Sequence, residues 1–180
     1  MRCFITCVLV TIAQLSLASS SVQVRPQDIH LAIKQHGAKA VVMELWDDRN
    51  KWTELLKSVT TGKKEWLLVA MELSKGTDAG ATSMLQIAVT RALGNNPLDT
   101  LRIMSDDTVN YSPVFSATFV CSSNFLIDYE ANQSSLDFID TTVEKLKAIK
   151  DPALVKTRDE CITAFQQARL DTLRIMSEQK

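Results

Sequence analysis

The chain has 180 residues, a length that suits one domain of ordinary size. Its 20 basic and 21 acidic residues give a formal net charge of −1, and this balance argues against a nucleic-acid binder, which normally carries a clear basic excess. Hydrophobic residues make up 46%, so the composition is that of a folded protein. Because there are only 2 histidines, histidine-based chemistry is restricted, and we predict no metal, no cofactor and no catalytic residue.

Residues 1–20 are typical of a cleaved secretory signal peptide. Arg2 supplies the positive charge, an apolar run follows from Cys3 to Leu17, and the small residues Ala18 and Ser20 suit a cleavage site. The run is shorter than the roughly 20 apolar residues that cross a bilayer, and Gln14 interrupts it. We therefore expect an exported mature chain with no membrane anchor.

The mature chain keeps two of the 4 cysteines, Cys121 and Cys161. In an oxidising compartment such a pair most simply forms a disulfide. Cys161 also falls on the apolar stripe of a predicted C-terminal helix, together with Leu154, Phe165 and Ala168. A buried disulfide between this helix and the Cys121 segment requires that position.

Prolines and glycines in the first part of the mature chain mark helix boundaries, since proline suits the first turn and glycine follows the last. Residues 38–46 fit a helix or a strand equally well. The other helices are predicted from Pro26 to Gly37, from a cap at Asn50 to Gly62, through Trp66 to Gly76, from a cap at Asp78 to Gly94, and from Asn96-Pro97 onward.

Helical periodicity fails over residues 106–115, which we predict as a loop, and residues 124–133 stay unassigned. Ser116 is expected to cap a short helix through Cys121, Ser135 to open another helix, and Asp151-Pro152 to start a long one. The prediction is a single all-α domain over 21–180. It comprises stacked antiparallel helical hairpins in a short HEAT-like array (21–105), disulfide-linked helices (116–169) and a C-terminal extension (170–180).

One octapeptide, LDTLRIMS, occurs twice, at Leu98–Ser105 and at Leu170–Ser177. The flanking residues do not match, so the chain is not a repeat protein of fixed period. Under one hypothesis the second copy is a local duplication that gives the C terminus an amphipathic extension. Under the other, the tail docks in, or competes for, the groove that receives the first copy.

Candidate catalytic groups are scattered. His30 and His36 lie on different faces of one predicted helix, so they cannot share a metal as an i, i+4 pair would. A glycosidase needs two carboxylates that converge across a cleft, and adjacent carboxylates on a helix point apart. The adjacent acidic pairs are Asp47/Asp48, Asp106/Asp107 and Asp159/Glu160. Asn132-Gln133-Ser134 matches a glycosylation sequon, which has meaning only in a eukaryotic secretory pathway.

Trp46 is the candidate for partner binding, together with Asp47 and Asp48. An aromatic side chain beside acids at a helix end suits an interface with a basic partner. The alternative is a partly buried tryptophan that only packs.

Several motifs occur in a characteristic order. They are Trp66-Leu67, Gly76-Thr77-Asp78-Ala79-Gly80, Ala92-Leu93, Asn96-Pro97, Cys121, Asp151-Pro152-Ala153-Leu154 and Arg158-Asp159-Glu160-Cys161. In these motifs the chain resembles a family of small exported proteobacterial all-helical proteins with one cysteine pair and no established activity. The resemblance covers roughly residues 50–165, implies a Gram-negative periplasmic location and supplies no catalytic residues. The first helices and the Leu170–Lys180 tail depart from it.

These observations favour a non-catalytic periplasmic protein that binds another protein, such as an immunity or inhibitor protein that neutralises a toxic or cell-wall-active enzyme. Outside a Gram-negative cell, the same signal would direct secretion. One alternative is an envelope hydrolase whose carboxylates converge only in the fold. Another is a carrier that holds a lipid or other apolar ligand between its helices.

Overall fold

The computed structural model describes residues 24–106, 115–122 and 132–179, and all regular secondary structure in these ranges is helical. The all-α prediction is therefore confirmed for the described chain. The predicted signal peptide, most of the 106–115 loop and residues 124–131 lie outside the described residues. The helices are α1 (Pro26–His36), α2 (Ala38–Asp47), α3 (Arg49–Thr60), α4 (Lys64–Ser74), α5 (Ala79–Asn95), α6 (Pro97–Met104), α7 (Ala117–Val120), α8 (Gln133–Lys147) and α9 (Val155–Glu178), with a 3-10 turn at Pro152–Leu154 before α9.

The segment that fitted helix or strand is the helix α2. Its buried side chains Val41, Val42 and Leu45 occupy one side of a helix, and α2 packs on α1, α3 and α4 through it. Gly37 separates α1 from α2 with a φ of 82°, a conformation that glycine adopts without a steric penalty. The α1 boundaries predicted from Pro26 and Gly37 are confirmed.

Two predicted helix starts are wrong, one by two residues and the other by three. Asp48, rather than Asn50, caps α3, because its carboxylate accepts hydrogen bonds from the backbone N–H groups of Asn50 and Lys51 at 3.2 Å. Asn132, rather than Ser135, caps α8, because its side-chain oxygen accepts a hydrogen bond from the backbone N–H of Ser135 at 3.2 Å. In both cases a polar residue slightly upstream already satisfies the first-turn donors. The caps predicted at Asp78 and Asn96 are confirmed.

The prediction that Gly94 ends α5 is wrong, because the helix continues to Asn95. A Cβ atom at Gly94 would lie 2.6 Å from Cε2 of Phe138, a residue of α8. The Nζ atom of Lys145, also on α8, donates to the Gly94 carbonyl oxygen at 2.6 Å. This glycine therefore permits the close approach of two helices.

Gly76 follows α4 as predicted, yet its main effect is also on packing. Its φ is not positive, so the left-handed conformation does not explain the glycine. A Cβ atom at this position would lie 2.3 Å from the backbone nitrogen of Lys39 and 2.4 Å from the carbonyl carbon of Ala38. The missing side chain thus lets the end of α4 contact the start of α2.

We expect Gly76→Ala to lower the free energy of unfolding by about 1–3 kcal/mol, the usual cost of forcing extra volume into a packed contact. Gly80→Ala is the control, since a Cβ atom there would meet nothing closer than Cη2 of Trp46 at 3.5 Å. Urea denaturation followed by circular dichroism measures both variants. Equal stability of the two variants would contradict the proposed contact.

One continuous cluster of buried residues extends from Ile29 in α1 to Ala168 in α9. Helix α4 contributes much of it, and α3 packs extensively on α5. Helices α8 and α9 pack together, and α8 contacts both α5 and α6. The buried residues of α4 are Leu67, Val69, Ala70, Met71, Leu73 and Ser74.

The disulfide between Cys121 and Cys161 is confirmed, and it joins residues that are 40 positions apart in the sequence. Both cysteines are fully buried where α7 meets α9. The hydroxyl of Thr90 on α5 also donates to the carbonyl oxygen of Val120 at 2.5 Å. The short helix α7 is thus held by a covalent bond on one side and a buried hydrogen bond on the other.

The two copies of LDTLRIMS have different environments. In α6 the first copy buries Leu101, Ile103 and Met104. The second copy forms the last turns of α9, where Leu170 is 60% and Leu173 is 40% exposed. The tail therefore continues α9, and the groove of the first copy is filled by α6 itself.

Candidate functional site

Three side chains on the outer side of α2 form the candidate binding surface, which we call the α2 ridge: Met43, Trp46 and Asp47. Residues three and four positions apart share one side of a helix. Met43 is 58% exposed, Asp47 is exposed and Trp46 is half-buried. In the sequence, Met43 belongs to the apolar segment 38–46. Because this segment forms a helix that buries Val42 and Leu45, the side chain of Met43 faces outward.

The Trp46 ring is fixed by its neighbours. Its centroid lies 5.5 Å from that of the buried Trp52, in an edge-on arrangement with an interplanar angle of 66°. The guanidinium carbon of Arg49 lies 4.5 Å from the Trp46 ring centroid, a cation–π contact. The rim of the ring lies beside Gly80 at the start of α5. Trp46 therefore packs against its neighbours and keeps part of its ring accessible in a fixed position.

Acidic residues lie close to this tryptophan in the sequence. Glu44 and Asp47 are exposed, and neither carboxylate forms an ion pair within the described part of the chain. Asp48 differs, because its carboxylate caps α3 and lies 3.5 Å from Nζ of Lys51. The hydrogen bond from the backbone N–H of Lys51 lowers the pKa of Asp48, so this group is held as a carboxylate. Trp46 and Asp47 thus lie at the surface, whereas Asp48 caps the first turn of α3.

Two of the other candidate titratable residues, His30 and Asp159, have structural partners. Nδ1 of His30 lies 2.7 Å from Oε2 of Glu72 and links α1 to α4, whereas His36 is exposed at the end of α1. Oδ1 of Asp159 accepts a hydrogen bond from Nε of Arg158 at 2.8 Å, and this contact lowers the pKa of Asp159. A general acid needs the opposite shift. Asp107 lies outside the described residues.

A groove between α3 and α5 has a volume of about 440 Å³. The half-buried side chains of Leu56, Met84 and Ile87 give it an apolar floor, and Lys57 and Arg91 lie at its edge. Lys57 is paired with Glu54 at 2.8 Å. This groove has the character expected of a site for an apolar ligand.

Within residues 24–106, 115–122 and 132–179, no cluster of three or more histidine, cysteine, aspartate or glutamate side chains could hold a metal ion. No helix in the same ranges is both long enough and apolar enough to cross a membrane. Comparison with family models, with curated proteins and with solved structures finds no match to this chain.

Proposed function

We propose that the chain is a non-catalytic periplasmic protein that binds a basic surface of another protein through the α2 ridge. An immunity or inhibitor protein that neutralises a toxic or cell-wall-active enzyme is the most concrete form of this function. The observation that carries the proposal is the half-buried ring of Trp46, fixed by Trp52 and Arg49, next to the exposed side chains of Met43 and Asp47.

Each member of the ridge suits a protein interface. Tryptophan contributes strongly to binding when its ring enters a desolvated pocket of a partner. Because Trp52 and Arg49 already fix the ring of Trp46, little side-chain freedom is lost on binding. The carboxylates of Glu44 and Asp47 would attract a basic partner and orient it.

The periplasmic location is part of the proposal. A buried disulfide is compatible with an exported protein, since such bonds persist in oxidising compartments. The predicted signal peptide over residues 1–20 and the resemblance to small exported proteobacterial proteins support the same location. The HEAT-like array over 21–105 also belongs here, supported by the packing of α1 on α2 and of α5 on α6.

A carrier of an apolar ligand is the second candidate, and the groove between α3 and α5 favours it. Native mass spectrometry of protein purified without detergent would detect a retained lipid. Loss of that lipid on Met84→Asp, with folding retained, would assign it to the groove. The alternative of an envelope hydrolase gains no support from Asp159, because its carboxylate lies 2.7 Å from Nη2 of Arg158.

Binding of a periplasmic partner to the immobilised chain tests the proposed function. We expect Met43→Asp and Asp47→Lys each to weaken capture of the partner about tenfold or more, the loss typical of central interface residues. Leu170→Asp is the matched control, because Leu170 is 60% exposed and Met43 is 58% exposed. Equal loss of binding in Met43→Asp and Leu170→Asp, or turnover of a cell-wall substrate without any partner, would contradict the proposal.

A further inference from the structure

A second surface feature lies at the opposite end of α2 from Trp46. The end of α1, the start of α2 and the end of α4 enclose an open cleft of about 580 Å³. Four basic side chains line it. The single acidic side chain in the lining is Glu72, whose Oε2 lies at hydrogen-bond distance, 2.7 Å, from Nδ1 of His30. The basic residues are Lys34, His36, Lys39 and Lys75.

These basic groups are not neutralised by the protein. Within the described ranges, none of the four forms an ion pair. Two other exposed lysines do, Lys57 with Glu54 and Lys147 with Glu144, each at 2.8 Å. Since the whole chain has a formal net charge of −1, the positive charge of this cleft is a local concentration. Like charges around one cleft repel each other, and a bound anion would remove that repulsion.

The backbone supports the same polarity. Gly37 contributes no side chain between α1 and α2, and the first turn of α2 has neither an acidic side chain nor a side-chain cap. Its backbone N–H donors are therefore not taken by a capping residue. The contact of Gly76 with Ala38 and Lys39 brings Lys75, the residue before it, to the same end of α2. The basic side chains carry the inference.

We propose that this cleft binds the phosphate group of a ligand, with Lys34, Lys39 and Lys75 as the main contacts. Lysine ammonium groups bind phosphate as point charges and need no fixed orientation. The phosphate belongs either to a small soluble compound or to a phospholipid headgroup. The cleft and the α2 ridge share no residue, although Lys39 lies one helical turn before Met43 and two turns, about 10 Å, before Trp46. The cleft does not depend on the proposed protein partner.

Amide chemical shifts of the 15N-labelled mature chain test the proposal at constant ionic strength. One arm adds pyrophosphate, and the other adds phosphatidylglycerol vesicles with phosphatidylcholine vesicles as the blank. We expect saturable changes centred on residues 34–39 and on Lys75, in the first arm for a soluble ligand or in the second for a headgroup. The double variant Lys39→Gln/Lys75→Gln should weaken the response about tenfold, since removal of one exposed charge contact typically costs a few-fold.

The control is Lys57→Gln/Lys147→Gln, which removes the same number of charges at paired lysines and should leave the response unchanged. Both double variants are compared by circular dichroism, so that loss of folding is separated from loss of binding. Changes that spread evenly over the lysines of the chain, or that persist in Lys39→Gln/Lys75→Gln, would show an adventitious ion only and would overturn the proposal. Absence of a localised change in both arms would overturn it as well.

Discussion

Leu101→Ala is expected to lower the free energy of unfolding by about 2–5 kcal/mol, whereas Leu173→Ala is expected to lower it by less than about 1 kcal/mol. Both leucines are the fourth residue of LDTLRIMS, so their immediate sequence is identical. Leu101 is 0% exposed in α6 and Leu173 is 40% exposed in α9. Truncation of the first leaves a cavity in the core, and truncation of the second leaves a site that water already reaches.

Urea denaturation of the two variants measures this difference, and the octapeptide supplies its own control. Thr100 and Thr172 are both fully buried, and each hydroxyl donates to the backbone carbonyl four residues earlier at 2.8 Å. We expect Thr100→Ala and Thr172→Ala to lower stability by similar amounts. Equal losses for the two leucine variants would contradict the burial that separates α6 from the end of α9.

The double variant Cys121→Ser/Cys161→Ser is expected to lower the free energy of unfolding by about 3–4 kcal/mol in the chain-entropy description of disulfides. The bond closes a loop of 40 positions, so its loss gives the unfolded chain much more conformational freedom. The four-residue helix α7 also depends on it, because few local contacts hold so short a helix. For a domain of this size the melting temperature should fall by roughly 6–16 °C.

Differential scanning calorimetry with and without dithiothreitol provides the control. The reductant should lower the melting temperature of the natural chain toward that of the double variant and leave the double variant unchanged. If the two proteins melted together under oxidising conditions, the disulfide would not support the fold.

Helix starts could be predicted from the sequence where the signal is local. Pro26 and the capping residues Asp78 and Asn96 act on backbone groups within one turn, so neighbouring residues reveal them. Gly76 follows the end of α4 as predicted and Gly94 lies one residue before the end of α5, but the close helix contacts that these glycines permit could not be predicted. Each is small to admit an atom of a helix that is distant in the sequence, and no local pattern shows that partner.

The residues of the candidate site also divide into those that the local sequence reveals and those that only tertiary packing reveals. Trp46 and Asp47 could be selected because a large aromatic beside acids near a helix end is visible in the sequence. Met43 could not, since a strand over residues 38–46 would place it on the same face as Val41, whereas the helix separates them. The phosphate cleft was missed because its basic residues come from three helices, and only the packing of α4 against α1 and α2 brings them together.

The most direct test of the α2 ridge is site-specific photo-crosslinking in cells that produce the protein. A benzophenone amino acid replaces Met43 in one protein and the equally exposed Leu170 in a control protein. We expect one major covalent adduct with a protein at position 43, lost when Asp47→Lys is added, and no such adduct at position 170. No adduct at position 43, or the same adduct at both positions, would contradict a partner-binding role for the ridge.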